Sequence, residues 1–278
     1  MRVLAISDLH LERRALNELP SLSESFDVLL CAGDIWEGEP QKAVQCVTQI
    51  ARGKPALIVP GNHEFWTHET GGHTIADVIK LMRNEADRQN AEARRKVVTV
   101  LSADSPTFEI DDTRFIGLTL WGDWAQAGRW MWGTDNEIEW AARARAIAVH
   151  PKTGPREYGA ITTERGRWTP YDAAAEHARE RAILVDELVS IHEGPTVVVT
   201  HHPPLAACVD AYRGARLPWW APAFYTSNIL PTLPDHVRPE LWVCGHVHAP
   251  YHVEYGRTRV ICNPVEGGHF DPELIIDI

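Results

Sequence analysis

Residues 2–10 read RVLAISDLH, and the rest of the chain repeats the pattern that they set. The apolar run Arg2–Ile6 is typical of a strand that is covered on both faces. Asp8 and His10 follow it directly, and on an extended chain side chains two residues apart point to the same side. A buried strand that ends in a carboxylate and an imidazole predicts a ligand site at the end of a sheet.

Four later apolar runs also end in residues that can bind metals, and each run is predicted to be a strand. The residues that follow are Gly33-Asp34 after Asp27–Cys31, Gly61-Asn62-His63-Glu64 after Ala56–Val59, His201-His202 after Thr196–Thr200, and Gly245-His246-Val247-His248 after Leu241–Cys244. Oxygen and imidazole donors without thiolates suit Mn, Fe, Zn, Co or Ni and argue against a structural zinc site.

The remaining patterns predict alternating strands and helices. Further strands are expected at Val97–Leu101, Arg114–Leu120, Val253–Tyr255, Arg259–Cys262 and Leu274–Ile278. Helices are expected at Pro40–Arg52, Thr74–Arg95, Asn136–Val149, and from an N-cap at Asp172 to about His192. Such alternation favours a layered α/β or α+β core.

We expect one domain over residues 1–278, with a cap or insertion at about 121–170. This stretch is rich in Trp, Gly and Arg and patterns poorly as a core strand. Its tryptophans Trp121, Trp124, Trp130 and Trp132 allow two interpretations. They form a small core of the insertion itself, or they form an aromatic wall beside the ligands that stacks on an apolar leaving group.

Composition and charge exclude several classes of protein. Lys and Arg total 27 against 38 Asp and Glu, so the net charge of −11 makes nucleic acid an unexpected partner. No apolar run is long enough to cross a membrane, so no membrane association is expected. The five cysteines are odd in number and lack CxxC spacing, which favours free thiols in the cytoplasm.

The number of donors indicates how many metal ions they hold. Seven donors are too many for one open catalytic ion and fit two ions that share a carboxylate, as in phosphate ester cleavage. These donors are Asp8, His10, Asp34, Asn62, His201, His246 and His248.

The ordered motifs, from Asp8-x-His10 to Gly245-His246-x-His248, resemble the calcineurin-like metallophosphoesterase family. The resemblance implies a four-layer αββα sandwich of two mixed sheets flanked by helices, with two transition-metal ions, divalent or trivalent. It assigns Asp8, His10, Asp34 and His248 to one ion, and Asp34, Asn62, His201 and His246 to the other. We expect manganese, while Fe, Zn, Co and Ni remain open.

The implied activity is hydrolysis of a phosphate ester by a hydroxide that bridges the two ions. Asp34 and His63 are the expected catalytic residues, and His63 also reaches the phosphate and the leaving group. Glu64 is expected to orient a neighbouring group. The expected substrate contacts are Asn62, His63, His202 and Trp66.

We favour a phosphodiesterase whose small phosphoester substrate is a nucleotide-like diester. The 136 residues between Glu64 and His201 indicate that something covers the site and narrows the choice of substrate. The alternatives are a phosphomonoesterase or protein phosphatase, a nuclease, and a non-catalytic scaffold that binds metal.

Overall fold

A computed structural model describes residues 1–19, 21–132, 135–150 and 152–278. The strands are β1 Arg2–Ile6, β2 Val28–Cys31, β3 Ala56–Ile58, β4 Val98–Val100, β5 Thr107–Ile110, β6 Thr113–Leu118, β7 Thr162–Thr163, β8 Gly166–Arg167, β9 Thr196–Thr200, β10 Leu241–Cys244, β11 Tyr251–Tyr255, β12 Thr258–Cys262 and β13 Ile275–Asp277. The α-helices are α1 Pro40–Ile50, α2 Ile75–Ala93, α3 Glu137–Ala148, α4 Glu157–Ala160, α5 Pro170–Val189 and α6 Ala221–Tyr225.

Two mixed sheets form the centre of the fold. The first has the order β13-β1-β2-β3-β4, in which only β13 runs antiparallel to its neighbour. The second has the order β11-β12-β10-β9-β6-β5, with antiparallel strands at its two edges. Because the inner strands of each sheet are parallel, their carboxyl ends meet at one edge, where ligands bind in α/β proteins.

The alternation of side chains along each strand creates the layers. In β1, Val3 packs between the two sheets, whereas Leu4 faces α1 and α2. In β9, Val197 joins the layer between the sheets and Val198 packs with Leu184 of α5. Strands covered on both faces explain the continuous apolar runs, and the αββα sandwich expected from the resemblance is confirmed.

The start of α5 differs from the prediction. The N-cap is Thr169, whose hydroxyl accepts a hydrogen bond from the Asp172 backbone N–H, so Asp172 is not the cap. The Asp172 carboxylate accepts from the Thr169 N–H in return, which completes a capping box. The prediction also missed β5, an edge strand at Thr107–Ile110 whose residues are at least partly exposed and therefore lack a continuous apolar run.

The tryptophans of 121–170 do not form one small core of their own. Trp121 and Trp124 are buried in the same cluster as Phe65, below the loop that follows β3. Trp132 is 42% exposed and stacks on Trp140 with the ring centroids 3.9 Å apart. Residues 133, 134 and 151 of the expected insertion lie outside the described part of the chain. Across the described ranges, no helix is both long enough and apolar enough to span a membrane.

Candidate metal centre

Five of the seven predicted ligands have a left-handed backbone, not an extended one. The φ angles are 52° for Asp8, 47° for His10, 55° for Asp34, 68° for His246 and 51° for His248. The expectation that Asp8 and His10 converge because the chain is extended was therefore wrong in its reason. Tight turns aim these side chains inwards instead, and each such backbone costs on the order of 1 kcal/mol.

The first group of donors joins the loops after β1, β2 and β10. The group comprises Asp8, His10, Asp34 and His248. His10 Nε2 lies 3.2 Å from His248 Nε2 and 3.8 Å from Asp34 Oδ2. His248 Nε2 also lies 3.4 Å from Asp8 Oδ1. These spacings allow all four side chains to contact one ion placed between them.

The second group converges on His201 Nε2. That atom lies 2.9 Å from Asn62 Oδ1, 3.2 Å from His246 Nδ1 and 3.4 Å from Asp34 Oδ2. On the other side of the ring, His201 Nδ1 lies 2.7 Å from the Ala32 carbonyl and donates to it. Nε2 of the neutral ring therefore presents a lone pair to other acceptor atoms, an arrangement that a cation stabilises.

Asp34 belongs to both groups. Its Oδ1 accepts a hydrogen bond from the His63 backbone N–H at 2.9 Å. Its Oδ2 is buried and, within the described residues, has no hydrogen-bond partner, and the same holds for His246 Nε2. A buried carboxylate oxygen without a partner is strongly unfavourable unless a cation lies beside it. The donor set therefore fits two ions that share Asp34.

The pKa values indicate where this cluster favours positive charge. Burial raises the pKa of Asp34, but the charges of His201 and His63 outweigh it and hold the pKa well below its usual range. Burial lowers the pKa of His201, yet the nearby Asp34 carboxylate raises it to about 9. Burial and neighbouring histidines keep the pKa values of His202 and His246 well below normal. A metal ion at the centre supplies the positive charge that a proton on His201 otherwise provides.

Glu64 joins the two turns that carry Asp34 and Asn62. Its buried carboxylate accepts backbone hydrogen bonds at 2.6–3.0 Å from Asp34, Ile35, Trp36 and Gly61. Burial and the charge of Asp34 raise the pKa of Glu64. The orienting role expected of Glu64 corresponds to these contacts, since they hold the backbone on which the shared carboxylate stands.

His63 contacts a carboxylate that the sequence analysis did not identify. Its Nδ1 lies 3.2 Å from Glu37 Oε2, and its Nε2 lies 3.9 Å from Asp34 Oδ2. The hydrogen bond with His63 lowers the pKa of Glu37. Glu12, also missed, lies 2.9 Å from His10 Nδ1. The sequence could have revealed both carboxylates by their positions. Glu12 follows His10 by two residues, and Glu37 follows Asp34 by three residues on the same loop.

A cavity of about 200 Å³ opens above the two donor groups. Its lining residues are Asp34, Asn62, His63, Trp66, Pro155, Arg156, Glu157, Tyr212, Phe224, Tyr225, His246 and His248. Of the expected substrate contacts, Asn62, His63 and Trp66 therefore border the cavity. His202 is 1% exposed and packs behind His246, so its contact with substrate stays an untested prediction.

The fold and the clustered donors are those of a metal-dependent phosphoester hydrolase. A family model described as calcineurin-like phosphoesterase matches residues 1–250, and the chain belongs to that family. Among solved structures, the chain is similar to the phosphopantetheinyl hydrolase from Mycobacterium tuberculosis, with a TM-score of 0.67 and 22% sequence identity. The match covers 95% of this chain and 89% of that one. No curated protein sequence matches significantly.

Proposed function

We propose that the protein is a phosphodiesterase that cleaves a small diester carrying an organic group on each ester oxygen. The observation that carries this proposal is the presence of aromatic side chains on two sides of the donor groups. Trp66 stacks on His63 with the centroids 3.8 Å apart. Phe224 and Tyr225 lie beside His246 at 5.2 and 5.1 Å. A diester offers two substituents to such surfaces, whereas a monoester offers one.

The shape and charge of the cavity support a small substrate. A volume of about 200 Å³ suits a compact ester group. Arg156 is the one cation among the lining residues of this cavity, and its guanidinium lies 5.2 Å from the Trp66 ring centroid. Arg129, another arginine of the segment 121–170, pairs with Asp210 at 2.8 Å and does not line this cavity. Arg156 is therefore the better candidate to contact an anionic substituent.

The residues of the site have separable tasks in this reaction. The two donor groups would hold two transition-metal ions, which we propose to be manganese. These ions would activate water and neutralise charge on the phosphoryl oxygens. Glu37 holds His63 Nδ1, so that Nε2 faces the cavity and can transfer a proton to the departing ester oxygen. Trp66 limits the rotation of the His63 ring by stacking on it.

The compartment that we propose is the cytoplasm. All five cysteines are buried and free, and thiols persist in a reducing environment.

Hydrolysis of a matched panel by metal-stripped protein reconstituted with manganese tests the substrate class. The panel contains p-nitrophenyl phosphate, bis-p-nitrophenyl phosphate, cyclic AMP, a dinucleoside polyphosphate and a phosphopantetheinyl ester. The last is included because of the name of the similar structure. We expect diesters to be cleaved with the higher kcat/KM. Good cleavage of the monoester with none of the diesters would contradict the proposal.

A variant of Trp66 tests the aromatic contact separately. Trp66→Ala should raise KM for an aryl diester by about tenfold, because one stacked ring is worth about 1–3 kcal/mol. The matched control is Trp132→Ala, which removes a tryptophan that does not line the cavity. Equal effects of the two substitutions on KM would show that Trp66 contributes no specific contact.

A further inference from the structure

We propose that Glu157 is a positioning residue that orients the amide of Asn62 towards the second group of metal ligands. Glu157 begins α4, inside the segment 121–170, and Asn62 lies 95 residues earlier in the chain. The inference depends on the metal-dependent hydrolysis proposed above, but not on which ester is cleaved. It gives the segment 121–170 a part in building the centre, beyond covering it.

The contact determines which end of the amide faces the metal ligands. Asn62 Nδ2 donates a hydrogen bond to Glu157 Oε2 at 2.9 Å, and Asn62 Oδ1 lies 2.9 Å from His201 Nε2. If the amide were turned over, its oxygen would face the Glu157 carboxylate and its N–H₂ would face the ion. Both contacts would be repulsive, since two acceptors would meet on one side and a donor would meet a cation on the other.

The burial of Glu157 supports a dedicated role. Glu157 and Asn62 are each 2% exposed, and a carboxylate is costly to bury unless it has a specific partner. Within the described residues, Asn62 is the one hydrogen-bond partner of the Glu157 side chain. The buried carboxylate of Glu64, by contrast, accepts four backbone hydrogen bonds.

Contacts of Tyr158 and Ala160 hold α4 against the candidate metal centre. The Tyr158 ring is 8% exposed and packs 6.2 Å from Trp124. The Ala160 carbonyl accepts a hydrogen bond at 3.0 Å from the His68 backbone N–H, on the loop that follows His63. A helix fixed at both of these points keeps the Glu157 carboxylate within reach of Asn62.

Two conservative substitutions separate the hydrogen bond from the charge. Glu157→Gln removes the charge but keeps a carbonyl oxygen that can accept from Asn62 Nδ2. Glu157→Asp keeps the charge but is one methylene too short to reach. We expect Glu157→Gln to bind two manganese ions per chain, and Glu157→Asp to bind the second ion about 10–100-fold more weakly.

The measurement is the number and affinity of bound manganese ions, determined by metal analysis and chelator competition without substrate. Glu180→Gln is the control, because it neutralises another buried carboxylate, one that accepts from the Leu120 N–H and does not contact Asn62. Its metal affinity should equal that of the wild type. Thermal melting of each metal-free variant shows whether it is folded. If Glu157→Asp does not fold, Glu157→Met offers a second test.

Two results would overturn the inference. One is a Glu157→Asp or Glu157→Met protein that binds both ions as tightly as the wild type. The other is loss of the second ion in Glu157→Gln with retention in Glu157→Asp, which would mean that charge matters and orientation does not. A wild-type protein that binds two ions but cleaves no ester would contradict the proposed function and leave this inference standing.

Discussion

Glu37 and His63 illustrate how a proposed catalytic side chain is held by a neighbour from another loop. The 3.2 Å contact leaves the opposite ring nitrogen free to face the cavity, where the proton is needed. Glu37 also lies 3.5 Å from Arg156, a residue of the cavity lining, so one carboxylate contacts both the proposed proton donor and a candidate substrate contact. At the scale of single residues, therefore, a side chain outside the metal ligands holds the group that we propose as the proton donor.

Replacement of His63 tests its assigned role. His63→Ala should retain two metal ions and lose about 10²–10⁴-fold in kcat, because the proton donor is removed while the ligands stay in place. Metal analysis and steady-state kinetics on the same sample measure both quantities. Full activity in His63→Ala would show that another group protonates the leaving oxygen.

A double substitution tests whether Glu37 acts through His63. Glu37→Gln should lower kcat less than His63→Ala does, because a neutral amide holds the ring more weakly than a carboxylate. Added to His63→Ala, it should have no further effect on kcat, as expected for two residues that act as one unit. If the losses in kcat from the two substitutions multiply in the double variant, Glu37 acts independently of His63.

The loops between strands and helices are the elements that build the centre. Gly33 and Gly61 lie where the turns after β2 and β3 touch. A Cβ atom on Gly61 would lie 2.2 Å from Asp34 Oδ1, and one on Gly33 would lie 2.4 Å from Gly61 N. Glycine is required here because of this close approach, which leaves the shared carboxylate in contact with the neighbouring turn.

Gly61→Ala should therefore displace Asp34. We expect loss of metal binding together with a destabilisation of about 1–3 kcal/mol, the usual cost of forcing extra volume into a packed site. Gly159→Ala is the control, because a Cβ there meets nothing within 4 Å. Chelator competition and thermal melting compare the two variants, and Gly61→Ala with normal metal affinity would refute the steric argument.

At the scale of the whole molecule, buried titratable groups couple stability to pH. In the metal-free chain, burial raises the pKa values of Glu157 and Glu180 to about 8, while that of His201 is raised to about 9. Cations bound beside Asn62 would lower the pKa of Glu157 and favour the charged carboxylate that orients the amide. Above pH 6.5 each of these groups keeps more protons in the folded chain than in the unfolded chain. The stabilisation from such groups is lost as the pH rises through their folded pKa values.

The metal-free protein should therefore become less stable from pH 6.5 to pH 8. Each group lowers the free energy of unfolding by at most about 1.4 kcal/mol per pH unit. His202 and His246 have lowered pKa values, so near pH 6.5 the unfolded chain holds part of a proton on each and the folded chain holds none. This opposes the trend only at the lower end of the range, and two histidines that are half protonated do not outweigh the three groups above. Urea unfolding in the presence of a chelator measures the slope, and Glu180→Gln should make it shallower. A stability that rises over this range would contradict the assigned shifts.

The amino-acid sequence alone determined the inner strands of the two sheets and the candidate metal ligands. Strands buried on both faces must be apolar at every position, so runs such as Arg2–Ile6 were recognisable. Asp34 and His246 were recognisable because each follows such a strand and stands on a short loop with a glycine. These features are local, and the pattern of a few consecutive residues is enough to express them.

The tertiary structure alone decided which distant side chains complete the centre. Glu157 contacts Asn62 across 95 residues, and Trp66 borders the cavity while Trp121 is buried in the core. Contacts of this kind depend on how loops pack against the sheets. Loop packing has no period along the chain, so a carboxylate or tryptophan in a loop looks the same whether it faces solvent, core or cavity.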